Sequence, residues 1–185
     1  MPASPGTRRG RPRSLTEDDV LEAALSLLDA GGVAAVSVRG IAAKVGVAAN
    51  AVYTYFPDKA AVVRALVDRL IGEADGAGDG APPWREGVEA LVLGLRAHLS
   101  AHPGAVGLVS GPLDGPRARA LDRRLRGLLT AAGLTGADAA RGAHLLIVHV
   151  LGSVALAAVE QPAAVERYRW ELHRLLDGLA AGGSG

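Results

Sequence analysis

The chain has 185 residues, the size of one large or two small domains, and 49% of them are hydrophobic, which is ample for a core. With no cysteine it has neither a disulfide framework nor a thiolate metal site, and with no apolar signal-peptide stretch near its start nothing points to secretion, so a cytoplasmic location is expected. The net charge is only +1 and aromatic residues are 3%, while Ala, Leu and Val dominate, a mixture that favours helices packed closely through small side chains.

The charge is uneven along the chain. Residues 1–14 hold Arg8, Arg9, Arg11 and Arg13 and no acid, and Pro2, Pro5, Gly6, Gly10 and Pro12 keep that arm from folding alone. Such an arm, with Arg11 and Arg13 nearest the folded part, tracks phosphates or reaches a minor groove while adding little sequence discrimination. Thr16 and Asp19 then form a capping-box-like start, and Glu17 and Asp18 suit the positive end of a helix. Val20, Ala24, Leu27 and Leu28 give that helix its buried stripe, and Gly31-Gly32 ends it.

Residues 36–59 read as two short helices joined by a tight turn. Ser37 caps a helix running through Val45, whose Val38, Ile41, Ala42 and Val45 share one face, and Gly46 supplies the turn. A second helix, about Ala48 to Tyr55, buries Val52 and leaves Ala49, Asn50, Ala51, Tyr53 and Thr54 on its outer surface. That is a helix-turn-helix with short, polar-tipped side chains suited to a DNA major groove. An αα-hairpin inside a bundle uses the same turn glycine, so spacing alone leaves both readings open.

Pro57 and Asp58 open a fourth helix that carries Val62, Val63, Leu66, Val67 and Leu70 and ends near Ile71. The Gly/Pro-rich stretch 72–83 opposes helix continuation and marks a boundary between a helix-turn-helix unit, 15–71, and a second unit, 84–181. Helical patterns follow at Trp84 to Ala101, His102 to Ser110, Pro116 to Ala132, Gly136 to Glu160 and Ala163 to Ala180. No alternating strand pattern is present, so the expected fold is all-α.

The run Ser37, Arg39, Ile41-Ala42, Val45-Gly46-Val47 and Tyr53-x-Tyr55-Phe56-x-x-Lys59 resembles the DNA-binding domain of the tetracycline-repressor family of bacterial transcription regulators. The Tyr-x-Tyr-Phe-x-x-Lys ending is not required of a generic helix-turn-helix. Ala48 and Ala49 depart from the larger or polar residues of many relatives. The second half resembles the ligand-binding domain of the tetracycline-repressor branch through the Trp84 helix, Leu95-Arg96 with Leu99, Gly133-Leu134, Asp138-Ala139-Ala140 and Gly152, so that the two resemblances cover about residues 14–160.

The resemblance implies a homodimer in which the last two long helices of each subunit form a four-helix interface. It also implies a repressor that a small-molecule effector releases from a pseudo-palindromic double-stranded DNA operator. Arg39, Asn50 and Thr54 are the expected base-edge contacts, Lys44, Tyr53, Tyr55 and Lys59 the phosphate positioners, and Phe56 a core residue. An asparagine and a metal-binding histidine of the family's chelate pocket align with Leu91 and Val109, which cannot hold a polar chelate. The expected pocket is therefore apolar, bounded by Trp84, Leu91, Leu95, His98, Val109 and the His144 helix, with no metal or cofactor.

Residues 143–159 form an apolar run that is short for a membrane span and lacks flanking basic anchors, so a buried subunit interface is expected rather than a membrane contact. His98 and His102 share a helical face, but no carboxylate or third histidine is evident near them in the sequence. Gly76, Gly78 and Gly80 follow no strand and read as linker, and Ser110 has no identifiable base, so an enzyme is not expected. The arginines at 117, 119, 123, 124 and 126 read as a solvated helix face. A competing reading, kept alive by Ala48, Ala49 and Ala51, is a small-molecule sequestering protein with a weak DNA-binding domain.

Overall fold

The structure, a computed structural model, describes residues 14–73, 82–108, 113–156 and 162–182. Among the described residues the chain forms α1 (Glu17–Ala35), α2 (Val38–Val45), α3 (Ala49–Tyr53), α4 (Lys59–Glu73), α5 (Trp84–Ala101), a 3-10 turn (Pro103–Leu108), α6 (Pro116–Ala131), α7 (Gly136–Leu156) and α8 (Pro162–Gly182), with no strand. The all-α expectation holds.

The ends of the first helices follow from local chemistry. Thr16 Oγ1 accepts from the Asp19 N–H at 3.1 Å while the Asp19 carboxylate accepts from the Thr16 N–H at 2.9 Å, so two otherwise orphaned donors are satisfied reciprocally. Gly31 and Gly32 leave helical geometry, Gly32 at φ 67°, and one further turn carries α1 to Ala35. Asp58 accepts from the Ala61 N–H at 2.6 Å and starts α4.

One expected helix differs. The segment read as helix His102 to Ser110 is a 3-10 turn from Pro103 to Leu108, and residues 109–112 lie outside the described part of the chain. The tighter winding lets this segment approach α1 closely: a Cβ on Gly104 would meet Leu28 Cδ1 at 3.0 Å.

The core is one contiguous apolar cluster, from Val20 and Leu28 on α1 through Phe56, Leu66 and Leu70 to Leu95, Leu125, Leu146 and Leu176. The boundary expected at 72–83 therefore does not divide the core in two; residues 74–81 of that stretch are outside the description. Helix α7 is long and apolar enough, by length and composition, to cross a membrane, with a mean hydropathy of 1.5 in its most apolar window. Leu146, Val150 and Val154 bury one of its faces against the body of the chain, whereas Leu145 and Val148 are 41% and 50% exposed. Trp170 on α8 is 64% exposed.

Candidate nucleic-acid interface

The candidate interface is built on the α2–turn–α3 unit. Ser37 Oγ accepts from the Gly40 N–H at 3.1 Å and starts α2. Gly46, at φ 74° and ψ 31°, stops α2 in the left-handed conformation that favours glycine, its N–H turned back to the carbonyls of Ala42 and Ala43. Val52 and Phe56, 0% and 5% exposed, then fix α3 from below. That anchoring leaves Asn50, Tyr53 and Thr54 exposed, with Ala49 and Ala51 half-buried at the edge of the same surface.

Polar atoms on this surface are few. Thr54 Oγ1 donates to the Asn50 carbonyl at 3.4 Å, whereas the Asn50 amide and the Tyr53 hydroxyl make no hydrogen bond among the described residues. Ala48, at the N-cap of α3, offers no side-chain cap. Arg39 and Lys44 are exposed on α2, and among the described residues neither makes a hydrogen bond or ion pair.

Two expected phosphate contacts have a structural tie that sequence reading missed. The Tyr55 hydroxyl donates to the Leu15 carbonyl just ahead of α1, and Lys59 Nζ donates to the Val33 carbonyl at 3.4 Å. Each still presents surface, since Tyr55 is 39% exposed and Lys59 is exposed with further donors on its ammonium. Arg11 and Arg13 lie outside the described residues.

The expected ligand-pocket residues that the structure describes stand in different settings. Leu91 and Leu95, 4% and 3% exposed, are packed into the common core. Trp84 is half-buried at the start of α5 with the Arg85 guanidinium 5.0 Å from its ring, His144 is exposed on α7, and Val109 is outside the described residues. His98 is half-buried, its ring 5.3 Å from that of His102. The carboxylate that sequence reading could not supply comes from α1: His102 Nδ1 lies 3.0 Å from both oxygens of Asp29. Among the described residues no group of three or more His, Asp or Glu side chains is arranged to hold a metal ion.

Open space lies elsewhere. A cleft of about 700 Å³ runs between α1, α4 and the start of α6, with apolar walls from Leu21, Val63, Val67 and Leu113 and with Glu17, Arg64 and Asp68 among its polar lining. Among the described residues, Trp84, Leu91, Leu95, His98 and His144 do not line it. Deeper in the second half, the Arg96 guanidinium sits 4.9 Å from the Tyr168 ring and His149 stacks on Tyr168 at 4.7 Å. Burial raises the Tyr168 phenol well above its ordinary range, and burial lowers the His149 imidazole, a shift that Glu171 opposes and Arg96 reinforces.

Comparison with known proteins agrees with this architecture. Residues 20–66 match the family described as bacterial regulatory proteins, tetR family. An HTH-type transcriptional regulator of Saccharopolyspora erythraea is 34% identical over 146 residues, 78% of this chain and 62% of that protein. The HTH-type transcriptional repressor DrrR1 of Streptomyces coeruleorubidus is 29% identical over 157 residues, 84% of this chain and 58% of that one. The chain thus spans about three-fifths of the length of the curated relatives it matches. The crystal structure of Mycobacterium smegmatis BioQ, 28% identical, superposes with a TM-score of 0.78 over 90% of this chain and 99% of BioQ, and BioQ has also been solved with its double-stranded DNA operator. Residues 20–66 thus carry the helix-turn-helix domain of the tetR family of bacterial regulatory proteins, and the chain shares the all-α architecture of BioQ.

Proposed function

We propose that the chain is a homodimeric, ligand-responsive DNA-binding regulator that represses transcription from a pseudo-palindromic operator and is released by a small, largely apolar molecule. The observation that carries this reading is the outer surface of α3. Asn50 and Thr54 stand exposed on a helix locked from below by Val52 and Phe56, and Arg39 and Lys44 on α2 are exposed cations with no ion pair among the described residues. Asn50, Thr54 and Arg39 read base edges, with Ala49 and Ala51 as apolar contacts; Lys44, Tyr53, Tyr55, Lys59 and the arm residues Arg11 and Arg13 hold phosphates. The description of DrrR1 as a repressor and the operator complex of BioQ support the assignment.

The second copy sits on the exposed faces of α7 and α8, where Leu145, Val148, Leu156 and Trp170 leave apolar surface in water. Residues 15–71 then form the reading unit and 84–181 the effector and dimerisation unit. The effector site is the cleft between α1, α4 and α6, since Leu91 and Leu95 already fill the space between their helices. The work is done in the cytoplasm, at the nucleoid, and involves no catalytic step and no membrane.

Genome-wide binding of purified protein, repeated with metabolite extracts, tests the reading. Discrete inverted-repeat sites that empty on addition of extract are expected. Extract components that bind a protein showing no preferred DNA site would favour the sequestering alternative, for which the alanines at 48, 49 and 51 speak.

A further inference from the structure

Ser14 differs from the other serines that the structure describes. Ser26, Ser100 and Ser153 are half-buried within helices, and Ser37 is half-buried with its hydroxyl capping α2. Thr16 and Thr54 are exposed, but their hydroxyls are engaged with Asp19 and with the Asn50 carbonyl. Ser14 is exposed on backbone that is not helical, and its hydroxyl makes no hydrogen bond among the described residues. A protein kinase needs such an acceptor, because its hydroxyl must be brought in line with the γ-phosphate of ATP.

The sequence before Ser14 supplies a means of recognition. Arg13, Arg11 and Arg9 stand one, three and five residues before it, and residues 1–13 hold no acid. Guanidinium groups pair with the carboxylates of an acidic substrate groove through charge-assisted, bidentate hydrogen bonds, and charge patterns of this kind select kinase substrates.

The fold places Ser14 where added charge has a consequence. Leu15, the next residue, accepts from the Tyr55 hydroxyl and borders, together with Lys44, a groove of about 430 Å³ between α1 and the end of α2. On the other side of Ser14, the first turn of α1 presents Glu17, Asp18 and Asp19, which repel another anion.

We propose that Ser14 is a phosphorylation site through which an arginine-directed Ser/Thr kinase loosens the hold of this chain on DNA. The γ-phosphoryl group of ATP passes to Ser14 Oγ. The new O–P bond forms as the bond to the β-phosphate oxygen breaks, ADP leaves, and the hydroxyl proton goes to the catalytic carboxylate of the kinase. The phosphoserine carries about −1.5 to −2 charges at pH 7. Next to Arg13 in the sequence and on the Lys44 side of α1, it competes with DNA phosphates for the same cations. The effect on DNA rests on the DNA-binding reading given above; the modification does not.

Chain isolated from growing and from stationary cells that make it, with phosphatases inhibited, is cleaved after Glu17 and the released peptide sequenced by mass spectrometry. A phosphoryl group on Ser14 is expected in at least one of the two states, and its absence from both overturns the site. For the effect, phosphoserine is installed at position 14 during translation, and binding to operator and scrambled duplexes is followed by fluorescence anisotropy between about 50 and 200 mM salt. The slope of log K against log salt should fall by about 1.5 to 2, and affinity for both duplexes should drop at least about tenfold.

Ser14→Ala removes only an unbonded hydroxyl and should bind as the parent does, while Ser14→Asp, with a single charge, should change the slope by about one. Circular dichroism checks that each chain keeps its helix content. Equal slopes for the parent and the phosphoserine chain overturn the switch, as does a Ser14→Ala variant that binds as weakly as the phosphoserine chain. Phosphorylated Ser14 in a protein whose unmodified form binds no duplex leaves the modification standing and removes the regulator reading instead.

Discussion

The Tyr55 hydroxyl donates a hydrogen bond to the backbone carbonyl of Leu15, joining the end of the reading helix to the start of α1 across 40 residues. The last described residue before Leu15 is Ser14, so this bond anchors the root of the basic arm beside the surface that carries Asn50 and Thr54. In the sequence, the stretch that carries Arg8, Arg9, Arg11 and Arg13 immediately precedes this tethered point.

Tyr55→Phe is expected to weaken binding to operator and scrambled duplexes alike, by about fivefold, the equivalent of about 1 kcal/mol for one hydrogen bond. Fluorescence anisotropy with both duplexes measures it. A loss confined to the operator would assign Tyr55 to base reading instead.

Lys44 is the simplest charge to remove, because it is exposed and makes no ion pair within the described chain. Lys44→Ala should lower the slope of log K against log salt by about one, without changing the ranking of operator sequences. Lys59→Ala should do the same and also release the Val33 carbonyl, so a lower melting temperature is expected only in that variant. Salt titrations and thermal melts separate the two.

Assembly is best probed at Leu145 and Val148, which are exposed in the single subunit. Leu145→Asp combined with Val148→Asp should yield a folded monomer in sedimentation experiments at micromolar concentration, because each change places an unpaired charge in the proposed subunit interface without touching the core of the chain. Val154 is a poor probe, since it is 6% exposed and already packed within its own subunit. Val154→Asp should unfold the protein rather than separate it.

His149 makes stability depend on pH. Its imidazole is lowered in the folded chain chiefly by burial, so below the ordinary value of about 6.5 the unfolded chain binds a proton that the folded chain resists. The neutral form's contribution is complete above that value and is lost as pH falls from about 6.5 toward the lower folded-state value. His149→Phe preserves a ring to stack on Tyr168 and should flatten the decline in denaturant midpoint between pH 7 and pH 5 relative to the parent.

Local chemistry was legible in the sequence and helix crossings were not. Thr16 with Asp19, Ser37 and Gly46 act within a few residues of themselves, and each stands in the role its residue type implied. The pairs Tyr55–Leu15, Asp68–Ala118 and His102–Asp29 join residues 40, 50 and 73 apart, and only the packing of helices against one another brings them together. Leu91 and Leu95 illustrate a different limit. Apolar residues at helical spacing look the same whether their face lines a pocket or closes a core, and here they close it. Ala, Val and Leu near Pro103 give a helical pattern in the sequence, while the close approach of the 3-10 turn to Leu28 involves another part of the chain.

Trp170 has an optical consequence. The chain holds two tryptophans, and Trp84 is half-buried beneath Arg85 while Trp170 stands largely in water on α8. Indole emission moves to shorter wavelength as its surroundings lose water. If a second copy covers α8, the intrinsic emission of the unlabelled protein shifts to the blue with concentration, against the steadier background of Trp84. Dilution followed in a fluorimeter then reads the strength of self-association with no dye attached.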